Sequence, residues 1–316
     1  MTQIGIAPFT FDARNDWEQL PPGTTLHETP GVAVDAQGHV YLLTRNVENP
    51  VVVLDRDGTF LRTFGQGTFT ARAHAIRVGP DGLIYGADDG AHTITKWTPE
   101  GELLMTVGTA GESSERFSGL PFNRPTDVAV SPVDGALFIS DGYGNARIHK
   151  YAPDGRLLFS WGQPGIGAGE FMVPHNIAFN PSGDLLYVAD REALRVQVFD
   201  TTGRHVRTWH DIHRPCGLAV APDGNVYIGE QRTGNFMAGA LNLGHAVSVF
   251  SPEGKLLARL GAPEEGEGPG EFIAPHSVAV DSTGSIYVGE VAYTEVGRHL
   301  DPPRAPQSVK TLIRTA

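Results

Sequence analysis

Short apolar stretches alternate with polar turns along the chain, and one unit recurs six times. Each unit has a short apolar strand, a glycine turn with proline, asparagine, aspartate or serine, and a second strand carrying an aromatic residue. The units begin 41 to 60 residues apart, at Gly31, Ala75, Asp127, Asn176, Gly217 and Ser277. Self-similarity at this spacing, in units made of strands, is typical of a β-propeller with one blade per repeat. The pattern therefore predicts an all-β fold, a six-bladed β-propeller with blades of four antiparallel strands.

A second hairpin completes the blade in the first five repeats, with proline or aspartate before glycine in its turn. The sixth repeat departs from this pattern, because residues 292–316 form an atypical C-terminal tail in which only residues 309–313 could be a third strand. A propeller must join its last blade to its first. We therefore expect part of residues 9–20 to pair with the last repeat, within one domain that spans residues 1–316.

The residue immediately before each repeat carries the chemical signal. In chain order these axial residues are Pro30, His74, Thr126, His175, Cys216 and His276. Histidine occurs in repeats two, four and six, and a rotation of about 60° per blade places three such imidazoles around the central axis. A single histidine there would be an ordinary core residue, but three convergent imidazoles suit a zinc ion that keeps a fourth position open. We interpret Cys216, at the same position in blade five, as a small core residue.

The second strand of each repeat also ends near the axis, mostly on an acidic residue. We expect these carboxylates to be structural and to cap the turn into the third strand. Arg45 and Arg191 break the acidic pattern, and two guanidiniums near a metal would suit a substrate with a carboxylate. Tyr143 lies in the turn after the second strand of blade three, where its phenol could reach the metal.

Composition narrows the classes of partner. The 316 residues carry a formal net charge of −12 without a lysine or arginine run, which argues against a nucleic-acid partner. No apolar run could span a membrane, and the N-terminus lacks the pattern of a signal peptide. With Cys216 as the single cysteine, the chain is compatible with a reducing compartment. We expect a cytoplasmic protein whose partner is a small molecule, and the oligomeric state is left open.

Several motifs together resemble a known family. They are RPTDVAV at residues 124–130, FISDGYGNARI at residues 138–148, GEFMVPH at residues 169–175 and VADRE at residues 188–192. These segments resemble the NHL-repeat propellers, and more specifically the peptidyl-α-hydroxyglycine α-amidating lyase family. The resemblance covers about residues 28–291.

The resemblance implies a set of site residues. The zinc ligands of the family fall on His74, His175 and His276, its catalytic tyrosine on Tyr143, and its two active-site arginines on Arg45 and Arg191. The family also holds a structural calcium through two backbone carbonyls, which match Val32 and Ile76, and an aspartate. Ser277 stands in place of that aspartate and is a much poorer calcium ligand, unless Asp127 or Asn176 substitutes for it.

The implied reaction is cleavage of a carbinolamide, an N-acyl-α-hydroxyglycine, to an amide and glyoxylate. Two alternatives remain open. One is another zinc-assisted hydrolase, hydratase or lactonase that acts on a small substrate with a carboxylate, and the other is a non-catalytic NHL interaction module. We also expect residues 292–304 to cover part of the active face, and the glycine-rich links 108–124, 162–174 and 261–275 to wall the cleft.

Overall fold

The computed structural model describes residues 2–233, 237, 240–241 and 243–315. These residues form 25 strands in six antiparallel sheets, one sheet for each sequence repeat. The chain begins with β1 (Thr2–Ile6) and β2 (Phe9–Arg14). The strands of blades one to three, in order within each sheet, are β3 (Gly31–Val34), β4 (Val40–Leu43), β5 (Val51–Leu54) and β6 (Phe60–Phe64); β7 (Ala73–Val78), β8 (Ile84–Asp88), β9 (Thr93–Trp97) and β10 (Leu103–Val107); and β11 (Asp127–Val130), β12 (Leu137–Asp141), β13 (Arg147–Tyr151) and β14 (Leu157–Trp161).

The remaining strands make up blades four to six. They are β15 (Pro174–Phe179), β16 (Leu185–Asp190), β17 (Arg195–Asp200) and β18 (His205–Trp209); β19 (Pro215–Val220), β20 (Val226–Glu230), β21 (Ala246–Phe250) and β22 (Leu256–Leu260); and β23 (Pro275–Val280), β24 (Ile286–Glu290) and β25 (Val309–Arg314). The first strands of successive blades contact one another in a closed ring, from β3 through β23 and back to β3. The prediction of a six-bladed β-propeller is confirmed.

The two ends of the chain meet in blade six. Strand β2 pairs with β25, with Phe11 opposite Arg314 and Ala13 opposite Leu312. Strand β1 then pairs with β2 at the outer edge, so this blade has five strands rather than the expected four. The side chains of Phe9, Phe11 and Ala13 are buried in the hydrophobic core of the blade. The ring is therefore closed by burial of apolar side chains as well as by strand pairing.

The aromatic residues of the second strands fill the space between neighbouring blades. Five are tyrosines with at most 2% of their surface exposed, namely Tyr41, Tyr85, Tyr187, Tyr227 and Tyr287. Burying a large apolar side chain stabilises the fold by about 1.5 to 3 kcal/mol. Three of the hydroxyls also donate to an aspartate in the preceding turn; the Tyr85 hydroxyl lies 2.8 Å from Asp81 Oδ2. Such packing holds the inner strands, and hence the axial residues, in place.

The acidic residues that end the second strands tie down the links that enter the inner strands. In blades two to six each carboxylate accepts hydrogen bonds from backbone N–H groups of the link. The donors are Thr70 to Asp88, Asn123 to Asp141, Met172 and Val173 to Asp190, His213 to Glu230, and Ile273 and Ala274 to Glu290. These residues are structural, as expected, but the expected cap on the turn into the third strand is found only for Asp88 among the described contacts. The carboxylates thus fix the backbone just before each axial residue.

Among the described residues, helical structure is limited to short segments. A single helical turn, α1 (Ala292–Glu295), follows β24 and is succeeded by the 3₁₀ turn Gly297–His299. A second 3₁₀ turn, Arg191–Ala193, follows β16. Within the described residues, no helix has the length and apolar character needed to cross a bilayer.

Candidate metal centre and active-site cavity

His74, His175 and His276 meet at the axis of the ring. They belong to the inner strands β7, β15 and β23 of alternate blades, and at most 2% of each residue is exposed. Their ring centroids are separated by 4.6, 4.7 and 4.8 Å, and the nitrogen atoms that could bind a metal lie within 4.8 Å of one another. The near-equal separations give the threefold arrangement that the alternation of histidines predicts. The three side chains could hold a metal ion.

Backbone carbonyl groups fix the tautomers of His74 and His276. His74 Nδ1 lies 2.6 Å from the Thr126 carbonyl oxygen, and His276 Nδ1 lies 2.7 Å from the Pro30 carbonyl oxygen. Because a carbonyl oxygen can only accept, Nδ1 carries the proton and Nε2 keeps its lone pair. In both cases the carbonyl belongs to the axial residue of the next blade, so the ring itself orients the imidazoles.

His175 follows the same rule with an additional partner. Its Nδ1 lies 2.8 Å from Asn176 Oδ1 and 3.4 Å from the carbonyl oxygen of Cys216, the axial residue of blade five. The Cys216 sulfur lies 3.3 Å from the same nitrogen. Burial raises the pKa of the Cys216 thiol to about 12, and a thiol that keeps its proton is a poor nucleophile and metal ligand. Cys216 is therefore a buried neighbour of His175.

The protonation state of the imidazoles favours metal binding. Burial lowers the pKa of each of the three side chains well below the usual value for histidine. The positive charge of Arg191 lowers all three pKa values further, and that of Arg45 lowers those of His74 and His276. A neutral imidazole with its lone pair on Nε2 is the form that binds metals.

Tyr143 joins the histidines from the turn that follows β12. Its Oη lies 3.0 Å from His74 Nε2 and 3.1 Å from His175 Nε2. The preceding residue must be glycine, because a Cβ at Gly142 would lie 2.0 Å from the carbonyl oxygen of Pro174 in the neighbouring blade. This close approach brings the turn of blade three over the centre and aims the phenol at the two imidazoles.

Two guanidinium groups lie over the Tyr143 ring. Arg191 Cζ is 5.3 Å and Arg124 Cζ is 4.7 Å from the ring centroid, and Arg191 Nη1 donates to Tyr143 Oη at 3.2 Å. Burial raises the pKa of the Tyr143 phenol, and the charge of Arg191 partly opposes that shift. The phenol is therefore protonated at neutral pH, with a positive charge in place to stabilise its ionised form.

Arg45 reaches the cavity from blade one, where its charge is balanced. Its Nη1 lies 2.5 Å from the buried carboxylate of Glu28 and 3.0 Å from Thr294 Oγ1 in α1. Its Nε donates to the Ala73 carbonyl oxygen at 3.3 Å. Arg45 is thus held rigidly beside His74, and its contacts also attach α1 to the body of the propeller.

The histidines open into a cavity of about 450 Å³. Arg45, Tyr143, Arg191 and His276 line it, so the residues selected from the sequence are brought together around one space. Residues of the atypical tail, namely Tyr293, Thr294, Glu295 and Arg298, form part of its wall, as expected for residues 292–304. Of the three glycine-rich links, only Arg124 contributes to the described lining, so the expectation that these links wall the cleft is largely wrong.

Comparisons with known proteins agree with this geometry. The family model described as NHL repeat matches residues 122–151 and 171–199. The chain is an NHL-repeat β-propeller. Over 261 residues, or 77% of this chain, it is 30% identical to the peptidylglycine alpha-amidating monooxygenase of Rattus norvegicus, of which the match spans 25%. It is 31% identical over 235 residues, or 69% of this chain, to peptidyl-alpha-hydroxyglycine alpha-amidating lyase 1 of Drosophila melanogaster, of which the match spans 42%.

The propeller thus spans about a quarter of the length of the monooxygenase relatives that it matches. Solved structures share its fold at low sequence identity. A streptogramin B lyase superimposes with a TM-score of 0.64 at 14% identity, covering 96% of this chain and 98% of the other. A gluconolactonase from Xanthomonas campestris superimposes with a TM-score of 0.60 at 19% identity, covering 91% and 86%. At these identities the likeness concerns the fold alone.

The residues of the propeller do not fit the calcium site implied by the family resemblance. The carbonyl groups of Val32 and Ile76 lie in a tier of inner-strand residues that also includes Ile177 and Leu218, each two positions after an axial residue. Arg77 donates to the carbonyl oxygens of Leu218 (2.8 Å) and Ile177 (3.4 Å). The Arg77 guanidinium therefore supplies an internal cation in this tier.

The carboxylate that could have replaced the missing calcium ligand is also engaged. Asp127 is fully buried and forms an ion pair with Arg77, at 2.5 Å from Nη2. It further accepts hydrogen bonds from the Asn176 side chain and the Ile177 amide, both at 2.9 Å. Ser277 Oγ accepts from the Val32 amide at 3.0 Å and so serves the backbone. The anionic group is saturated by protein donors, so among the described residues of this tier no free carboxylate is left for calcium.

Several residues of the cavity were missed in the sequence, above all Arg72, Arg124 and Arg214. A signal for all three was present, because Arg72, Arg124 and Arg214 stand two positions before the axial residues His74, Thr126 and Cys216. The same position in blade one holds Glu28, so four of the six blades place a charged residue there. Comparing only the axial positions among repeats concealed this second ring of charged residues.

Proposed function

We propose that this NHL-repeat propeller is a zinc-dependent lyase that cleaves a carbinolamide, an N-acyl-α-hydroxyglycine, to an amide and glyoxylate. The observation that carries the proposal is the convergence of three neutral imidazoles with the Tyr143 hydroxyl, which lies 3.0 and 3.1 Å from two of them. The similarity to relatives named as amidating lyases supports this reaction over other chemistries of the same fold.

The set of donor atoms suits zinc. His74, His175 and His276 supply three nitrogen ligands without a carboxylate, whereas calcium requires oxygen ligands. His276 also lines the cavity, so a metal ion held by the three imidazoles would be accessible to a substrate bound there. A bound zinc ion would act as a Lewis acid that lowers the pKa of the substrate hydroxyl group.

The two arginines orient the substrate. A carboxylate on the α-carbon accepts hydrogen bonds from Arg191, whose guanidinium lies next to Tyr143 Oη, and from Arg45 on the other side of His74. Both side chains are mostly buried and anchored, Arg45 by Glu28 and Arg191 by Glu192. Fixed donors hold the hydroxyl-bearing carbon above the imidazoles and align the C–N bond for cleavage.

Tyr143 moves the proton. Burial alone keeps the Tyr143 phenol protonated, but the charge of a bound zinc ion, added to those of Arg191 and Arg124, would favour the phenolate. The phenolate oxygen Oη then takes the proton from the substrate hydroxyl group. The carbon–oxygen double bond of glyoxylate forms while the C–N bond breaks, and the electron pair of that bond passes to the amide nitrogen. The nitrogen then takes the proton from Tyr143 Oη, which restores the phenolate. The net change is transfer of one proton from oxygen to nitrogen, so no co-reactant is needed.

Metal content and activity of the wild type and the His175→Ala variant test the proposal. We expect near-stoichiometric zinc in the purified wild type by elemental analysis, and release of glyoxylate from α-hydroxyhippurate. The variant should lose both. His205→Ala is the matched control, because His205 lies in the outer strand β18 and bonds Thr208, and it should retain zinc and activity.

Two outcomes would overturn the proposal. Absence of zinc from a folded wild type, with calcium or no metal in its place, would favour a lactonase or a non-catalytic interaction module. If zinc is bound but no glyoxylate is released, the metal centre is supported and the lyase reaction is wrong. The reaction would then be another zinc-assisted one on a small carboxylate substrate. Circular dichroism of both variants shows whether the fold is intact.

A further inference from the structure

The cavity above the histidines carries an excess of positive charge in a protein whose overall charge is strongly negative. Six arginines line the cavity: Arg45, Arg72, Arg124, Arg191, Arg214 and Arg298. Its lining includes only three carboxylates, those of Glu28, Asp89 and Glu295. The formal net charge of the whole chain is −12, so the cationic lining is a local feature that would concentrate anions.

The cationic residues form two pairs with the same design. Arg72 holds Asp89 in a bidentate ion pair, at 2.6 and 2.9 Å, and Arg124 Nη2 lies 3.2 Å from the same carboxylate. Arg191 and Arg214 in turn share the carboxylate of Glu192, each at 2.8 Å. Within each pair, two guanidiniums share one carboxylate. Each pair therefore keeps one positive charge that no described carboxylate balances.

The repeat architecture explains why these cationic residues cluster. Arg72, Arg124 and Arg214 occupy one equivalent position, two residues before the axial residue, in blades two, three and five. Arg124 and Arg214 also share positive φ angles, of 66° and 38°. In blade one the same position holds Glu28, which neutralises Arg45 instead of adding charge. Both members of the Arg72–Arg124 pair therefore come from equivalent positions in neighbouring blades.

The two pairs border the same reactive group. Arg191 and Arg124 both lie over the ring of Tyr143. The Arg191 pair serves the α-carboxylate in the proposed reaction, whereas the Arg72–Arg124 pair is assigned no group of the substrate. Arg124 Nε is in addition buried and has no hydrogen-bond partner among the described residues. An unsatisfied charged donor beside the reaction centre indicates a missing acceptor.

We infer that the Arg72–Arg124 pair is a second anion subsite, and that the substrate carries a carboxylate on its acyl part in addition to the α-carboxylate. The inference rests on the proposed lyase function, whose substrate class it narrows to dicarboxylic N-acyl-α-hydroxyglycines. The planar guanidinium favours carboxylate, since Arg72 already binds that of Asp89 through two parallel hydrogen bonds.

A pair of substrates that differ in one group tests the inference. N-succinyl-α-hydroxyglycine carries the second carboxylate, and its terminal carboxamide is the neutral counterpart of the same shape. We expect the wild type to favour the dicarboxylate by about tenfold or more in kcat/KM, measured as glyoxylate release, because charge-assisted hydrogen bonds are the stronger ones. Arg72→Gln and Arg124→Gln should each reduce this preference towards unity.

The ratio of the kcat/KM values for the two substrates separates recognition of the second carboxylate from effects on the rate of the reaction itself. Arg124→Gln also removes a charge beside Tyr143, which lowers the rate for both substrates but leaves their ratio unaffected if no subsite exists. Arg204→Gln is the control, because Arg204 pairs with Asp200 on an exposed turn, and it should keep the wild-type ratio. Equal kcat/KM values for both substrates in the wild type would overturn the inference.

Binding of an uncleavable ligand keeps the inference testable if the lyase reaction is wrong. N-succinylglycine lacks the hydroxyl group and can be compared with its carboxamide by calorimetry. Tighter binding of the dicarboxylate by the wild type, abolished in Arg72→Gln, supports the subsite even when α-hydroxyhippurate releases no glyoxylate. Equal affinities overturn it, whatever the outcome of the activity assay.

Discussion

At the residue scale, each imidazole of the centre is oriented by the backbone of the blade that follows it. His74 and His276 donate to the carbonyl oxygens of Thr126 and Pro30, which are themselves axial residues. The side chain at an axial position of the odd blades can therefore vary, while its carbonyl group keeps its role. Proline, threonine and cysteine are accordingly found at the axial positions of the odd blades, whereas the axial residue of each even blade is histidine.

Tyr143→Phe tests the assignment of the proton carrier. Removal of the hydroxyl eliminates general acid–base catalysis, so kcat for α-hydroxyhippurate should fall by about 10²- to 10³-fold. Zinc content should stay at the wild-type level, because the three imidazoles are unchanged. Steady-state glyoxylate release and elemental analysis measure the two quantities. Tyr41→Phe is the control and should keep the wild-type rate, since the Tyr41 hydroxyl bonds Asp35 in a turn; an unchanged kcat in Tyr143→Phe would contradict the assignment.

At the scale of the elements, strands with buried side chains could be predicted, and an exposed edge strand could not. The predicted third strand of blade six, residues 309–313, is found as Val309–Arg314. Strand β1 was missed because nearly all its residues are exposed, so no apolar alternation marks it. Part of residues 9–20 was expected to pair with the last repeat, and Phe9–Arg14 does so as β2. Trp17 packs on Tyr287 of the same blade, with ring centroids 5.1 Å apart.

The environment of Glu290, the acidic residue that ends β24, differs from that of an ordinary capping carboxylate. Glu290 is fully buried, and only one of its oxygens accepts hydrogen bonds, from the amides of Ile273 and Ala274. Its other oxygen has no partner among the described residues. Burial raises the pKa of Glu290 to about 7, against the opposing charge of Lys310. The folded protein therefore binds a proton at Glu290 more tightly than the unfolded chain does.

This shift predicts a pH-dependent effect of Glu290→Gln. Since the folded pKa is raised, wild-type stability is greatest below the unfolded pKa of about 4.5 and is lost as the pH rises to about 7. Glutamine preserves the accepting oxygen and cannot ionise. The free energy of unfolding of the variant, relative to that of the wild type, should therefore rise by roughly 3 kcal/mol from pH 5 to pH 8. Denaturant unfolding at both pH values measures this change, and a difference between the two proteins that is independent of pH would contradict it.

At the scale of the whole molecule, the symmetry of the ring brings residues at the same position of different repeats close together in space. His74, His175 and His276 are about a hundred residues apart, yet their common register was sufficient to bring them together. The ends of the second strands also indicated Arg45, Tyr143 and Arg191, and the family resemblance assigned roles to them. The break in the repeat pattern placed residues 292–304 at the active face, but neither route predicted the helical turn α1, whose position depends on the contacts of Thr294 with Glu28.

The axial channel is organised in layers around a central cation. One mouth is the cavity above the histidines, and the other is an apolar cavity of about 340 Å³ lined by inner-strand residues. Arg77 lies between them and spans from blade two to the carbonyl groups of blades four and five. The Arg77 guanidinium, which pairs with Asp127, is a cation covalently attached to the chain and takes the place of an exchangeable calcium ion. The stability of the ring therefore does not depend on dissolved calcium.

Calcium should therefore be without effect on this protein, whereas Arg77 should be essential to its stability. Elemental analysis of the zinc-loaded wild type should find no stoichiometric calcium, and addition of millimolar calcium should leave Tm unchanged. Arg77→Met would leave the buried carboxylate of Asp127 without its counter-charge and should lower the free energy of unfolding by about 3 kcal/mol. Arg204→Met, at the exposed pair with Asp200, should cost less than about 1 kcal/mol. A rise in Tm with added calcium in the wild type would show that the channel retains a calcium site and that Arg77 does not fill it.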